Sequence, residues 1–219
     1  MKFKAILFDC DGVLVDSEAL TCGVLRDLLD EAGWSMTLAE CLANFIGKTV
    51  REERVTIESH TGQPLTEAWL QNFYQRRNQA LREQLQIIPG AQAAVQAAFS
   101  QTGGQIACAS GADRFKVEMM LNQVGLMSYF AGRVFSGHEM PRSKPAPDVY
   151  LAAASHLKVP GDQCLVIEDT TVGITAGVAA GACVWAYCPH PTGAAALLQA
   201  GASRLFDHMA QLPGLLAAG

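Results

Sequence analysis

Short, largely apolar runs recur along the chain, with stretches of helical spacing between them. The first, Ala5–Phe8, ends abruptly in an acid, Asp9. Others stand at Gln105–Ala109, Arg133–Phe135, Cys164–Ile167 and Cys183–Tyr187. Such runs suit strands buried on both faces of a parallel sheet. Apolar positions three and four apart predict helices over Ala91–Ser100, Asp113–Val124, Asp148–His156 and Gly173–Ala180. Strands alternating with helices imply βαβ units and a parallel sheet. Turn residues fall between them, at Pro89-Gly90, Gly125, Pro160-Gly161 and Gly181.

Residues 16–87 break this alternation. They read as helices almost throughout, over Glu18–Ala32, Leu38–Asn44, Arg51–His60 and Thr66–Gln86, with no strand candidate. The economical reading is an all-helical domain inserted after the first strand, with 1–15 and 88–219 forming an α/β core. No internal repeat is present, and the one biased segment is an Ala-rich tail.

Composition narrows the function classes. The chain has 219 residues, enough for one α/β domain with an insert, and half of them are hydrophobic, which argues against global disorder. Its net charge of −5 disfavours nucleic acid as a partner, because phosphate backbones select basic faces. Seven cysteines are scattered without a Cys-x-x-Cys pair and read as reduced thiols acting as small hydrophobes, so a cytoplasmic location is expected. The first apolar run stops at Asp9, too soon for a signal sequence, and no run is long enough to span a bilayer, so no membrane partner is expected.

Most of the chemical information lies in Asp9-Cys10-Asp11-Gly12. Ligand sites of open parallel sheets lie beyond the strands' carboxyl ends. Two carboxylates there repel each other unless a cation joins them, and magnesium favours such hard oxygen ligands. A carboxylate beside a metal can attack phosphorus and form an aspartyl phosphate. Alone, the segment reads equally as a solvated acidic turn. A second pair, Glu168-Asp169, follows the apolar run Cys164–Ile167. Asp169 could simply cap the helix that begins near Val172, but two acid pairs at strand ends of one sheet look like a metal site. Ser110-Gly111 closes another run, and a Ser hydroxyl with backbone N–H groups at a helix N-terminus suits a phosphate, although Ser is also a common cap. Lys144, stiffened by Pro145 and Pro147, can neutralise nucleophile and phosphate charge, or can be an ordinary loop lysine.

The ordered set Asp9-Cys10-Asp11-Gly12, Ser110, Lys144-Pro145-Ala146-Pro147 and Glu168-Asp169 resembles the four motifs of the haloacid dehalogenase-like phosphatase superfamily. The helical insert resembles that of its small-cap branch, which includes β-phosphoglucomutase and phosphoglycolate phosphatase. The resemblance implies a Rossmann-like, doubly wound parallel sheet with an inserted helical cap that closes over the site. It implies that Asp9 is the nucleophile and that Asp11 protonates the leaving alcohol and then activates water. Magnesium would be held by the Asp9 carboxylate, the Asp11 backbone carbonyl and Asp169, with Glu168 assisting. Ser110, Gly111 and Lys144 would hold the phosphate.

An intact Asp-x-Asp implies chemistry at phosphorus rather than dehalogenation at carbon. The mutase branch carries a His in the first cap helix, whereas the matching place here is near Thr21 and no His precedes His60. Its cap Lys and Arg are also displaced, in Ile46-Gly47-Lys48-Thr49-Val50-Arg51. Hydrolysis is therefore favoured over isomerisation. Gly47-Lys48-Thr49 is no Walker A loop, since Leu42 stands where a Gly is required. Lys48 and Arg51 are candidate substrate contacts, or a solvated helix start. A receiver-type signalling module would also gather acids, a hydroxyl and a Lys, but would lack the large insert. The expected partner is a small phosphorylated metabolite: a sugar phosphate, a sugar-acid phosphate such as 6-phosphogluconate, or phosphoglycolate. The chain is expected to work as a monomer or small homo-oligomer.

Overall fold

The structure is a computed structural model and describes residues 3–218. Met1, Lys2 and Gly219, which the expected core segments include, lie outside the described residues. The chain forms two compact units, one of residues 1–15 and 87–219 and one of residues 16–86.

The strands are β1 (Ala5–Phe8), β2 (Val15–Asp16), β3 (Gln86–Ile87), β4 (Ile106–Ser110), β5 (Val134–Ser136), β6 (Cys164–Glu168), β7 (Cys183–Tyr187) and β8 (Arg204–Phe206). Six of them form one sheet in the order β5-β4-β1-β6-β7-β8. Every pairing in it is parallel. The fold is α/β and Rossmann-like, and the chain winds outward from β1 first towards β5 and then towards β8. The topological switch point therefore lies at β1, where such sheets bind their ligands. Phe8 pairs with Cys108 on one side and Ile167 on the other, which brings the carboxyl ends of β1, β4 and β6 level. All four β1 side chains are buried. Full burial of large apolar side chains such as Leu7 and Phe8 contributes about 1.5–3 kcal/mol each.

The helices are α1 (Glu18–Glu31), α2 (Leu38–Phe45), α3 (Arg54–Thr61), α4 (Glu67–Gln84), α5 (Ala91–Gln101), α6 (Arg114–Gln123), α7 (Met127–Phe130), α8 (Asp148–Leu157), α9 (Thr171–Ala179), α10 (Ala194–Gln199) and α11 (Leu212–Ala218). The first four make up the helical unit around a core that includes Leu25, Leu29, Cys41, Phe45, Leu70 and Phe73. Thr37 starts α2 with a capping box, accepting from the Glu40 amide at 3.2 Å while Glu40 accepts from the Thr37 amide at 2.8 Å. Thr66 caps α4 by accepting from the Trp69 amide.

Several boundaries differ from the sequence expectation. Asp16 and Gln86 sit in two-residue strands that pair with each other, so the segment 16–87 is not strand-free and α4 stops short of Gln86. Helix α3 begins at Arg54 rather than Arg51, because Thr49 and Glu52 exchange side-chain hydrogen bonds in a preceding turn. Strand β8, Arg204–Phe206, adds to the expected strands at the edge of the sheet.

Candidate active site

Asp9 follows the last residue of β1, and its amide donates to the Ile167 carbonyl at 3.0 Å. The chain then turns tightly, with Leu14 and Val15 amides donating back to the Cys10 carbonyl. Gly12 sits at φ +76, and a Cβ there would lie 2.1 Å from Asp169 Oδ2. Glycine is therefore required both by the backbone and by the approach of the Asp169 carboxylate.

Lys144 is the hub of the site. Its ammonium lies 2.5 Å from Asp9 Oδ1, 2.8 Å from Glu168 Oε1 and 3.0 Å from the Tyr150 hydroxyl. Tyr150, on the first turns of α8, also donates to Glu168 Oε1 at 3.0 Å. The other Glu168 oxygen accepts from the Asp169 amide and from the Thr170 amide and hydroxyl. A Cβ at Gly173 would fall 1.6 Å from Glu168 Oε1, so the glycine makes room for the carboxylate at the start of α9. Both Glu168 oxygens are thus held by this chain's own donors. Burial alone would raise the Glu168 carboxyl, but Lys144 and the two amides outweigh it and hold it below the usual range. Burial pushes Tyr150 well above the ordinary phenol value, which keeps it a neutral donor.

Ser110 ends β4, is almost fully buried, and lies with its Oγ 3.4 Å from Asp11 Oδ2. Helix α6 begins at Arg114, one residue after the expected start at Asp113. Asp113, not Ser110, caps α6, accepting from the Lys116 amide at 2.9 Å, while the Ser110 hydroxyl accepts from the Ala112 amide at 3.1 Å. The expectation that Ser110-Gly111 forms a helix N-terminus is therefore corrected: the two residues form the strand-end turn before it. Lys116 turns inward and places its ammonium 2.5 Å from Asp11 Oδ1.

Asp9, Glu168 and Asp169 each offer an oxygen within 4.8 Å of the others. Charge supports a cation there. The three carboxyl groups of that cluster, Asp9, Glu168 and Asp169, outnumber the Lys144 ammonium among them by two. Burial pushes the Asp9 carboxyl up, to about 8, against the pull of Lys144, with Glu168 and Asp11 adding to the rise. Further positive charge beside it is needed to keep the Asp9 carboxylate ionised at neutral pH. An all-oxygen donor set with an excess of two negative charges fits a hard divalent cation.

The structure thus brings Asp9, Asp11, Ser110, Lys144, Glu168 and Asp169 to one end of one sheet, with Gly111 next to Ser110. Lys48 and Arg51 lie in the helical unit. Lys48 pairs with Glu53 at 3.1 Å, and Arg51 makes a forked pair with Glu67 at 2.7 and 2.9 Å. Sequence reasoning missed Lys116 and Tyr150. Tyr150 reads as an ordinary apolar position of α8 and gives no signal. Lys116 is hidden too: it is buried while its neighbour Phe115 is 58% exposed, the reverse of what their polarity dictates.

The model of the haloacid dehalogenase-like hydrolases matches residues 3–181. The chain belongs to that family. As a member of it, the chain is 27% identical over 215 residues to the 6-phosphogluconate phosphatase of Escherichia coli K12, a match covering 98% of this chain and 95% of the relative. Among solved family structures, a haloacid dehalogenase-like protein of unknown function from Agrobacterium tumefaciens superposes with a TM-score of 0.83 at 33% identity, covering 99% and 98% of the two chains. A family hydrolase from Deinococcus radiodurans, solved with bound phosphate and sodium, gives a TM-score of 0.80 at 32% identity over 99% and 96% of the chains.

Proposed function

We propose that this chain is a magnesium-dependent phosphatase that hydrolyses a small phosphorylated metabolite through an aspartyl phosphate on Asp9. It is a phosphoric monoester hydrolase by family and by the named phosphatase among its relatives. The observation that carries the mechanism is the group Asp9–Lys144–Glu168, with the half-buried Asp169, at the carboxyl ends of β1 and β6.

An Asp9 carboxylate oxygen attacks phosphorus. The P–O bond to the alcohol breaks, its electron pair stays on the alcohol oxygen, and that oxygen takes the proton carried by the Asp11 carboxyl. A water then attacks the phosphorus of the aspartyl phosphate and gives a proton to Asp11 as the bond to Asp9 breaks. Inorganic phosphate leaves, with Asp9 ionised and Asp11 protonated as at the start. Lys144 keeps Asp9 in place and offsets charge on the transferring group, Ser110 and the Gly111 turn receive the phosphate, and Glu168 with Tyr150 anchors Lys144 from behind. The Asp9 and Asp169 carboxylates and the Asp11 carbonyl would hold magnesium, which would supply positive charge to the transferring phosphoryl group.

Lys48 and Arg51 are the proposed contacts to the leaving group. The Arg51–Glu67 pair is solvent-exposed and Lys48 is exposed on its side of the pair with Glu53, so a substrate anion can compete for both cations. A sugar-acid phosphate such as 6-phosphogluconate supplies a carboxylate to meet them. Simple sugar phosphates and phosphoglycolate belong to the same candidate set. Hydrolysis is preferred to mutase chemistry because the first histidine of the helical unit, His60, is stacked on Trp34 at 4.0 Å and hydrogen-bonded to the Thr56 carbonyl.

The test is a panel of phosphorylated metabolites scored for released phosphate and for isomerised sugar phosphate. The expected result is phosphate release that needs magnesium, stops with a chelator and is lost in Asp9→Asn. An isomerised product without free phosphate would overturn hydrolysis, and full activity in Asp9→Asn would overturn the nucleophile.

A further inference from the structure

Two aspartates share the turn after β1, and each has its own buried lysine. Lys144 serves Asp9, and its role follows from the phosphate it neutralises. Lys116 meets Asp11 instead. Its side chain is 8% exposed and its ammonium sits 2.5 Å from Asp11 Oδ1, while Ser110 Oγ faces Oδ2 at 3.4 Å. Burying such a pair costs about as much in lost hydration as the attraction returns, so stability alone does not explain it. The local structure is built to aim this side chain. Asp113 caps α6 on the amide of Lys116 itself, which fixes where the first turn begins and sends Lys116 inward while Phe115 points to solvent. Val117, Met120 and Leu121 of the same helix are buried and hold that face against the core.

We propose that Lys116 is a positioning residue for proton transfer, gripping Oδ1 of Asp11 so that the carboxylate keeps one rotation towards the leaving alcohol and the attacking water. This rests on the reading of Asp11 as the acid/base. A carboxylate free to rotate about its side-chain bonds spends only part of its time aligned, and proton transfer is steep in alignment. Losses therefore scale with how much the leaving oxygen needs a proton. A nitrophenolate leaves without one, whereas an alkoxide does not.

The experiment measures first-turnover release of the leaving group, with magnesium, from p-nitrophenyl phosphate, phenyl phosphate and glycerol 2-phosphate. The proteins are the full chain and its Lys116→Met, Lys116→Arg, Asp11→Asn and Asp9→Asn variants. For Lys116→Met the expected loss grows along the series, from about threefold for the nitrophenyl ester to about a hundredfold for the alkyl ester, the scale of positioned acid–base catalysis, with KM little changed. Lys116→Arg, which keeps a cation, should recover part of the alkyl rate. An equal loss on all three esters, no loss, or a loss confined to KM would overturn the proposal. So would failure of both Lys116 variants to fold, since Lys116 would then be a structural residue. The aspartate variants separate this outcome from failure of the underlying reading. Turnover by Asp9→Asn refutes the phosphatase mechanism. An Asp11→Asn loss that ignores the leaving group refutes Asp11 as the acid. With both behaving as expected, Lys116 alone is judged.

Discussion

The charges of the site and the paired arginines on the surface of the helical unit are held in opposite ways. In the α/β unit the cations of the site are buried, and Lys144 and Lys116 lie within 2.5 Å of Asp9 and Asp11 at strand ends. In the helical unit the forks Arg51–Glu67 and Arg76–Glu31 lie in solvent over an apolar interior. A buried pair is rigid and costly to disturb, whereas an exposed pair is loose and easily exchanged. The buried charges are therefore suited to rate, which needs fixed geometry, and the exposed ones to recognition, which needs groups that can let go.

The sharpest way to break this contrast is at its rigid end. Asp9→Asn is expected to lower kcat by roughly four orders of magnitude or more, as removal of a covalent nucleophile does, read from steady-state phosphate release with the fold checked by circular dichroism. Lys144→Met should cost roughly 10²–10³-fold in kcat. It should also lower thermal stability, because Asp9 and Glu168 lose a shared buried partner, with about 3–5 kcal/mol the usual scale of such a loss. On the helical side, Leu70→Ala empties a fully buried position and should cost about 2–5 kcal/mol in denaturant melts. The smallest expected effect is at the loose end. Arg51→Met should raise KM for an anionic metabolite severalfold with kcat nearly unchanged, and a matching fall in kcat would erase the contrast. Its effect on stability has a sign. The Arg51 fork holds the Glu67 carboxyl below its ordinary value, so the stabilisation exists above that value and disappears as pH falls through the depressed one. The melting difference between the parent chain and the variant should therefore be small near neutrality and close below about pH 4, near the ordinary glutamate value.

How much of this could be read beforehand follows the same division. The parallel sheet was legible because its strands are short apolar runs, and the acids of the site because they interrupt such runs at Asp9 and Glu168. Polar residues that follow an apolar strand stand out. Polar residues buried inside a helix do not. Lys116 and Tyr150 escaped notice because an amphipathic pattern assigns a lysine to solvent and a tyrosine to the core, and only the tertiary arrangement turns each towards a carboxylate. The cap of α6 was ambiguous for a related reason. Ser110 and Asp113 both look like caps, and only the hydrogen bond from the Lys116 amide decides between them. The two-residue pair β2 and β3 was too short to leave a periodic signal.

The most direct test is to trap the phosphorylated enzyme. The chain is mixed with substrate and magnesium, quenched in acid within one turnover, and its peptides are analysed by mass spectrometry. A phosphoryl group on the peptide at Asp9, absent in Asp9→Asn and absent without magnesium, is the predicted result. A phosphoryl group on another residue, or rapid turnover with no phosphorylated peptide at any quench time, would contradict the account.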